Sequence, residues 1–241
     1  MKKVAVLQSN YLPWKGYFDI IHDVDLFIFH DDLQYTKNDW RNRNKVATPG
    51  GPKWLTVPAG TNEHRLIVDV KLEDSRWQRD HYNKLCAYYK KAPYFHCYEP
   101  FLNKIYLQKE WTYLFELNRY IIERIAVDFL GIQTKFDDSR NFKTHGQKHE
   151  KLLSMLASAG AEAYVSGPAA KSYIDEADYR EAGVRLAWKN YDGYPEYEQL
   201  YKPFSHNLSV LDLLFNTGDD ASYYIWGWRD KANSSYQFAG C

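Results

Sequence analysis

The chain has 241 residues, with 31 Lys and Arg against 31 Asp and Glu, so it carries no net charge. This length buries a sizeable core. Balanced charge argues against a dedicated binder of nucleic-acid duplexes, which needs a basic face to compete for phosphates, and no apolar run approaches the ~18 residues of a membrane span.

Val4-Ala5-Val6-Leu7 reads as a first strand. Two lysines before it and polar residues after it leave it too short for a signal-peptide core. The loop Gln8-Ser9-Asn10 follows, then a helix over residues 16–22. Leu26-Phe27-Ile28-Phe29 has the pattern of a short buried strand. Strand, helix and strand at this spacing predict a parallel pair with a right-handed crossover. Residues 8–10 would then face residues 30–32 across one crevice. Pro49-Gly50-Gly51-Pro52 is a turn, residues 54–57 a third strand and residues 67–70 an edge strand. Helices are expected over 77–91, 101–107 and 110–130. In the last, Leu114, Leu117, Ile121, Ile125 and Phe129 recur at helical spacing ahead of Gly131. A strand at 132–136 comes next. Thr144-His145-Gly146-Gln147 has the form of a capping box opening a helix that runs to Gly160. Strands at 163–165 and 184–188 alternate with helices at 169–174 and 210–216. Ser209, with Asp212 three residues on, opens the last helix as a cap. The alternation predicts an α/β fold: a Rossmann-like, mostly parallel sheet with flanking helices. One domain is expected over residues 1–231, with a helical insertion around 77–130 and a loose tail at 232–241.

Residues 30–45 carry the densest chemistry. His30, Asp31 and Asp32 sit just past a strand's carboxyl end, where open α/β sheets bind ligands. Each is a candidate general base, and the aspartates are candidate magnesium ligands. The plainer reading is a strand-end turn in which an Asp caps backbone amides. Lys37, Arg41, Arg43 and Lys45 gather cations, and Arg suits bidentate contact with phosphate or carboxylate; the plainer reading is a solvated basic loop. Gln34, Asn42 and Asn44 offer paired donors and acceptors. Trp14, Tyr17, Tyr35 and Trp40 have faces that stack on sugars or bases, although most aromatics pack cores. Gln8, Asn10 and Lys15 join them from the first loop and helix. Ser166-Gly167-Pro168 is a second strand-end loop. Backbone amides there suit an anion, and Gly167 permits close approach. His145 and His149 have metal-ligand spacing on a helix, but a cap explains the segment and no third ligand is apparent. No metal site is expected. Cys86, Cys97 and Cys241 lack metal spacing. An odd count without a secretory signal favours free thiols in the cytoplasm. The chain has no G-x-G-x-x-G, Walker A, H-E-x-x-H or G-x-S-x-G motif, which disfavours the classes built on them.

Several blocks resemble the WbqC-like family. They are Gln8-Ser9-Asn10-Tyr11-Leu12-Pro13-Trp14-Lys15-Gly16-Tyr17-Phe18; Asp31-Asp32-Leu33-Gln34-Tyr35 with Lys37 and Trp40 to Asn44; Trp54-Leu55-Thr56-Val57-Pro58; Tyr164-Val165-Ser166-Gly167 with Tyr173; and Leu208-Ser209-Val210-Leu211-Asp212-Leu213-Leu214. Ser9, Leu33 and Asp39 depart mildly from the family pattern. The resemblance implies a role in bacterial surface-polysaccharide (O-antigen) biosynthesis, with transfer of a glycyl or other aminoacyl group to an amino sugar. Under that reading His30, Asp31 or Asp32 is the base and Arg41 and Arg43 hold the diphosphate of a sugar nucleotide. Asn42 or backbone amides stabilise the oxyanion. The acyl donor would ride on coenzyme A, a carrier protein or tRNA. The layout of Pro13-Trp14-Lys15-Gly16-Tyr17 is also similar to nucleotidyltransferases of the HIGH-motif superfamily, with Trp14 and Tyr17 standing in place of the two histidines. That alternative implies magnesium. A third is a noncatalytic module that binds a sugar nucleotide.

Overall fold

The computed structural model describes residues 1–172, 174–229 and 235–239. The chain opens with β1 (Lys3–Leu7), α1 (Lys15–His22) and β2 (Leu26–Phe29). β1 and β2 pair in parallel, from Val4 opposite Leu26 to Leu7 opposite Phe29. The residues that follow them therefore emerge at one edge, as the sequence pattern predicts. These strands lack polar alternation because both faces are covered. Ala5, Phe27 and Phe29 pack with Phe18, Ile20 and Ile21 of α1 on one side. Val4, Val6, Leu26 and Ile28 pack with Met155 and Leu156 on the other.

β3 (Arg43–Val46) and β4 (Lys53–Thr56) form a separate antiparallel hairpin around the turn at residues 49–52. The sequence marks the turn and β4 but not β3. Three of the four β3 residues are polar, and Asn44 is buried for a reason the pattern hides: its Nδ2 donates to the Leu12 carbonyl at 2.7 Å. Residues 67–70 are not an edge strand. Ile67–Asp69 is a 3-10 turn, and the Ile67 and Val68 amides donate to the carbonyls of Leu33 and Asp31.

α2 (Arg76–Tyr89), α3 (Phe95–Asn103) and α4 (Leu114–Arg124) follow. α3 and α4 run on as π-helical turns, Lys104–Gln108 and Ile125–Phe129. These helices share one apolar cluster with the sheet: Leu85, Leu102, Leu117 and Ile121 belong to the same core as Ile20 and Phe27.

β5 (Lys135–Asp138) pairs in parallel with β2. α5 (Lys148–Ser158) starts later than the apparent capping box predicts. Gly146 has φ +73°, a left-handed conformation that breaks the helix before it begins, and Gln147 is an N-cap with no side-chain hydrogen bond. His145 thus precedes the helix, and its amide donates to Ser154 Oγ at 3.0 Å. β6 (Ala163–Ser166) lies beside β1. The helix expected at 169–174 is a 3-10 turn, Pro168–Ser172, with α6 (Glu176–Glu181) after it. β7 (Arg185–Lys189) is parallel to β6, and α7 (Val210–Thr217) follows. β8 (Tyr236–Phe238) pairs antiparallel with β7, so the stretch expected as a loose tail contains an edge strand. Residues 232–234, 240 and Cys241 of that stretch lie outside the described residues, as does Tyr173. Cys86 and Cys97 are free thiols. No helix among the described residues is long and apolar enough to cross a membrane.

The sheet order is β5-β2-β1-β6-β7-β8. The winding reverses between β1 and β6, and open parallel sheets of this kind bind ligands outside the strands' carboxyl ends at such a switch point. The sequence reading places the crevice between β1 and β2. The observed order moves its centre one strand over, so that residues 8–14 and 166–167 flank it.

A buried ionic cluster ties α1 to β7 and to the C-terminal region. Asp19 and Lys189 are fully buried, and Lys189 Nζ lies 2.8 Å from Asp19 Oδ1. Arg229 donates to both Asp19 oxygens at 2.8 and 2.7 Å. The Tyr194 hydroxyl also donates to Asp19, and Lys189 to Asp23.

Candidate functional site

Past the ends of β1, β2 and β5, acids and bases are matched closely. Asp31 is fully buried. Its Oδ1 accepts from the Ser9 amide and its Oδ2 from Arg119 Nε, both at 2.7 Å. Burial pushes the Asp31 carboxyl up, while Arg119 and the Ser9 amide pull it down. Arg119, from α4, also donates through Nη1 to Asp138, which Arg140 holds from the other side. Burial raises the Asp138 carboxyl, but these guanidiniums outweigh it and hold it well below the usual range. Asp32 accepts from Ser139 Oγ and Lys151 Nζ. Burial again opposes, yet those two bonds keep Asp32 below its ordinary pKa. His30 is buried, 3.6 Å from Asp32, and its Nε2 has no hydrogen-bond partner. Burial pushes its pKa down, against the pull of Asp32, and Lys151 pushes the same way. The imidazole is therefore neutral at physiological pH.

A cavity of about 380 Å³ opens beside the start of α1, lined by Asn10, Pro13, Trp14, Trp40, Asn44, Lys45 and Asn207. Its volume falls within the range typical of small-molecule pockets. Trp14 is the N-cap of α1 and offers no side-chain cap. Its indole folds back over Gly16: a Cβ there would lie 2.2 Å from Trp14 Cζ2. Gly16 is thus required by packing. Gly16→Ala is expected to displace the indole and destabilise the fold by ~1–3 kcal/mol, the usual range for overpacking. Thermal unfolding together with tryptophan fluorescence checks this; an unchanged emission spectrum would refute the packing argument. Trp40 is well exposed and lies 5.4 Å from Trp54, on which Arg43 and Lys45 stack at 4.3 and 5.0 Å.

Four residues of the sequence-predicted set, Asn10, Trp14, Trp40 and Asn44, thus line one cavity. The Tyr17 hydroxyl donates to the Gln8 carbonyl at 2.9 Å, which fixes the first loop. Lys15 is buried with no hydrogen-bond partner for its Nζ, which lies 4.6 Å over the ring of Tyr194 and 5.6 Å over that of Tyr197. Arg41 lies 3.2 Å from Asp39. Ser166 is buried and Gly167 half-buried. The chain after Gly167 enters a short 3-10 turn, so it offers no α-helix N-terminus. Other members take structural posts. Asn42 donates to the Val57 carbonyl at 2.9 Å, Tyr35 is buried under Arg65, and Lys37 pairs with Glu63 at 3.5 Å on the surface. Gln34 is exposed. His30, Asp31 and Asp32 do not line the cavity.

Sequence reasoning misses Asn118, Arg119, Asp138, Ser139, Lys151 and Asn207. They come from α4, β5, α5 and a late loop, far along the chain from residues 8–45, and no local motif flags them. Asp212 is read from sequence as a cap. Ser209 does cap α7, accepting from the Leu211 amide at 3.3 Å. Asp212, however, is buried and accepts from Tyr89, Tyr197 and Gln199 at 3.0, 2.8 and 2.8 Å.

Residues 8–224 match the model of the WbqC-like protein family. The chain belongs to the WbqC-like family. The match spans both loops of the candidate site together with Arg119, Lys151 and Ser166. The chain is also 43% identical over 227 residues to the uncharacterized protein Rv1507c of Mycobacterium tuberculosis, covering 93% of this chain and 98% of that one. No solved structure matches. The relation to HIGH-motif nucleotidyltransferases gains no support from these comparisons.

Proposed function

We propose that this WbqC-like protein is a transferase that binds a nucleotide-linked amino sugar and moves an acyl or aminoacyl group onto its amine, within surface-polysaccharide biosynthesis. The observation that carries the reading is the cavity of about 380 Å³, where the rings of Trp14 and Trp40 meet the amides of Asn10, Asn44 and Asn207 and the ammonium of Lys45. Flat apolar faces beside paired amide donors and acceptors suit a sugar ring or base. The acceptor amine must lose a proton to attack the acyl carbon. Of the three sequence-predicted candidates His30 has the best chemistry for a base, since its imidazole is neutral and its Nε2 has no hydrogen-bond partner, although it lies outside the cavity's lining and the amine would have to reach it beyond that lining. Asp31 and Asp32 are held by Arg119 and Lys151, which blunts them both as bases and as magnesium ligands. The donor would ride on coenzyme A, a carrier protein or tRNA.

The test incubates the protein with amino-sugar nucleotides and candidate acyl donors and reads the products by mass spectrometry. The expected result is a mass gain of one acyl group on the sugar, lost in His30→Gln and in Trp40→Ala. Binding without turnover for every donor would sink the transferase reading. It would favour a noncatalytic sugar-nucleotide module, which the full pairing of Asp31 and Asp32 already suits.

A further inference from the structure

Arg119 is held unusually firmly for a side chain with an unused hydrogen-bonding edge. Its Nε is tied to Asp31 at 2.7 Å and its Nη1 to Asp138. Its guanidinium lies 4.9 Å from the centre of the Phe29 ring and 5.0 Å from that of Phe115. Nη2 is buried and has no acceptor. Arg41 repeats the pattern: its Nη2 is bound to Asp39 at 3.2 Å, while its Nε is buried without a partner. Both residues border the Ser9 loop: Asn118 Nδ2 lies 3.4 Å from the Ser9 carbonyl, and the Ser9 amide donates to the Asp31 carboxylate that holds Arg119. Asn118, next to Arg119 in α4, donates to the Arg41 carbonyl at 2.8 Å. Buried donors in native proteins are nearly always satisfied. Two open guanidinium donors around one loop suit an anionic acceptor. A guanidinium whose orientation is already fixed binds one with little loss of side-chain entropy.

The two loops that line the cavity also carry or contact this pair. Asn10 lines the cavity, and the Ser9 amide beside it holds Asp31. Trp40 lines it too and is followed directly by Arg41. The Tyr11 amide donates to the Trp40 carbonyl at 2.9 Å, which keeps the two loops together. We infer that Arg119 and Arg41 form an anion clamp at the inner end of the cavity, taking the phosphoryl group of a glycosyl phosphate or nucleotide whose ring rests between Trp14 and Trp40. The inference rests on the reading of that cavity as a sugar site. Arg119, absent from the sequence-predicted set, becomes the principal phosphate ligand. Asp31 then serves to aim it.

The experiment measures binding of four probes to the full chain: glucose 1-phosphate, inorganic phosphate, glucuronate and glucose. Calorimetry is paired with phosphorus-31 line broadening. Glucose 1-phosphate and inorganic phosphate are expected to bind, and their affinities to fall at least tenfold in Arg119→Lys. That variant keeps the charge but has no fixed fork. Arg41→Ala, which removes a side chain that makes no contact with Asp31, is expected to weaken both probes similarly and guards against misfolding at Arg119. Glucuronate bound as tightly as glucose 1-phosphate, with the same losses, would keep the clamp and assign it to carboxylates. Trp40→Ala separates the two readings. If glucose 1-phosphate weakens and inorganic phosphate does not, cavity and clamp both hold. If neither changes, the clamp stands without the cavity. Phosphate and carboxylate affinities untouched by both arginine variants, or no binding of either anion, would overturn the clamp.

Discussion

Asp19→Ala is expected to destabilise the fold by about 3–5 kcal/mol, the typical effect of removing one partner of a buried ion pair. Asp19 and Lys189 are fully buried and Arg229 is nearly so. The carboxylate takes two hydrogen bonds from Arg229, one from Tyr194 and an ion pair from Lys189. Removing it leaves Arg229 without its counter-ion and Lys189 with Asp23 alone. For a chain of this length each kcal/mol moves the melting temperature by about 2–4 °C, so a fall of roughly 6–20 °C follows. Asp19→Asn keeps the volume and removes the charge, and should recover little of the loss. Differential scanning calorimetry decides the matter: both variants within about 1 kcal/mol of wild type would show that charge does not lock α1 to β7.

The elements legible in the sequence are those whose signal is local. β1, β2, β6 and β7 are short apolar runs bounded by polar residues and form where the pattern predicts; α4 carries a long heptad-like stripe and forms too, but it starts at Leu114 rather than at residue 110. Elements whose stability comes from distant partners are misread or missed. β3 is polar and exists because β4 pairs with it and Asn44 reaches the Leu12 carbonyl. Residues 67–70 have strand-like composition, yet the Ile67 and Val68 amides are taken by the 31–35 loop and those of Asp69 and Val70 close a 3-10 turn. At the site the same division holds. The dense 30–45 stretch and the 8–17 block are visible as motifs, and they do converge. What the sequence hides is that Asp31, the most suggestive residue, is fully spent on Ser9 and Arg119. A residue 88 positions away cannot be paired by inspection, so a structural carboxylate looks like a free one. The switch point is hidden for the same reason, because strand order is a property of the assembled sheet.

Lys15 carries a pH signature that stability measurements can read. Its Nζ is buried, lacks a hydrogen-bond partner and rests on two tyrosine rings. Burial lowers its pKa from 10.5 to about 8, with Asp19 pulling the other way. In the unfolded chain the ammonium keeps its ordinary pKa. Between the two values the unfolded state binds more protons than the native one, so stability rises with pH across that window. The gain from Lys15 is about 2 kcal/mol between pH 7.5 and 9.5. Lys15→Met is expected to remove that slope and to stabilise the protein at pH 7 by on the order of 3 kcal/mol, since the apolar chain fills the cage at no charge cost. Urea unfolding of both proteins at several pH values checks the difference in slope, in which titration of every other group cancels. Parallel slopes would mean that Lys15 is solvated or paired in the native state. A residue that costs this much stability beside Trp14 is retained for something other than folding. The same variant, stable but with weakened binding at the cavity lined by Trp14 and Asn207, would tie that cost to ligand recognition.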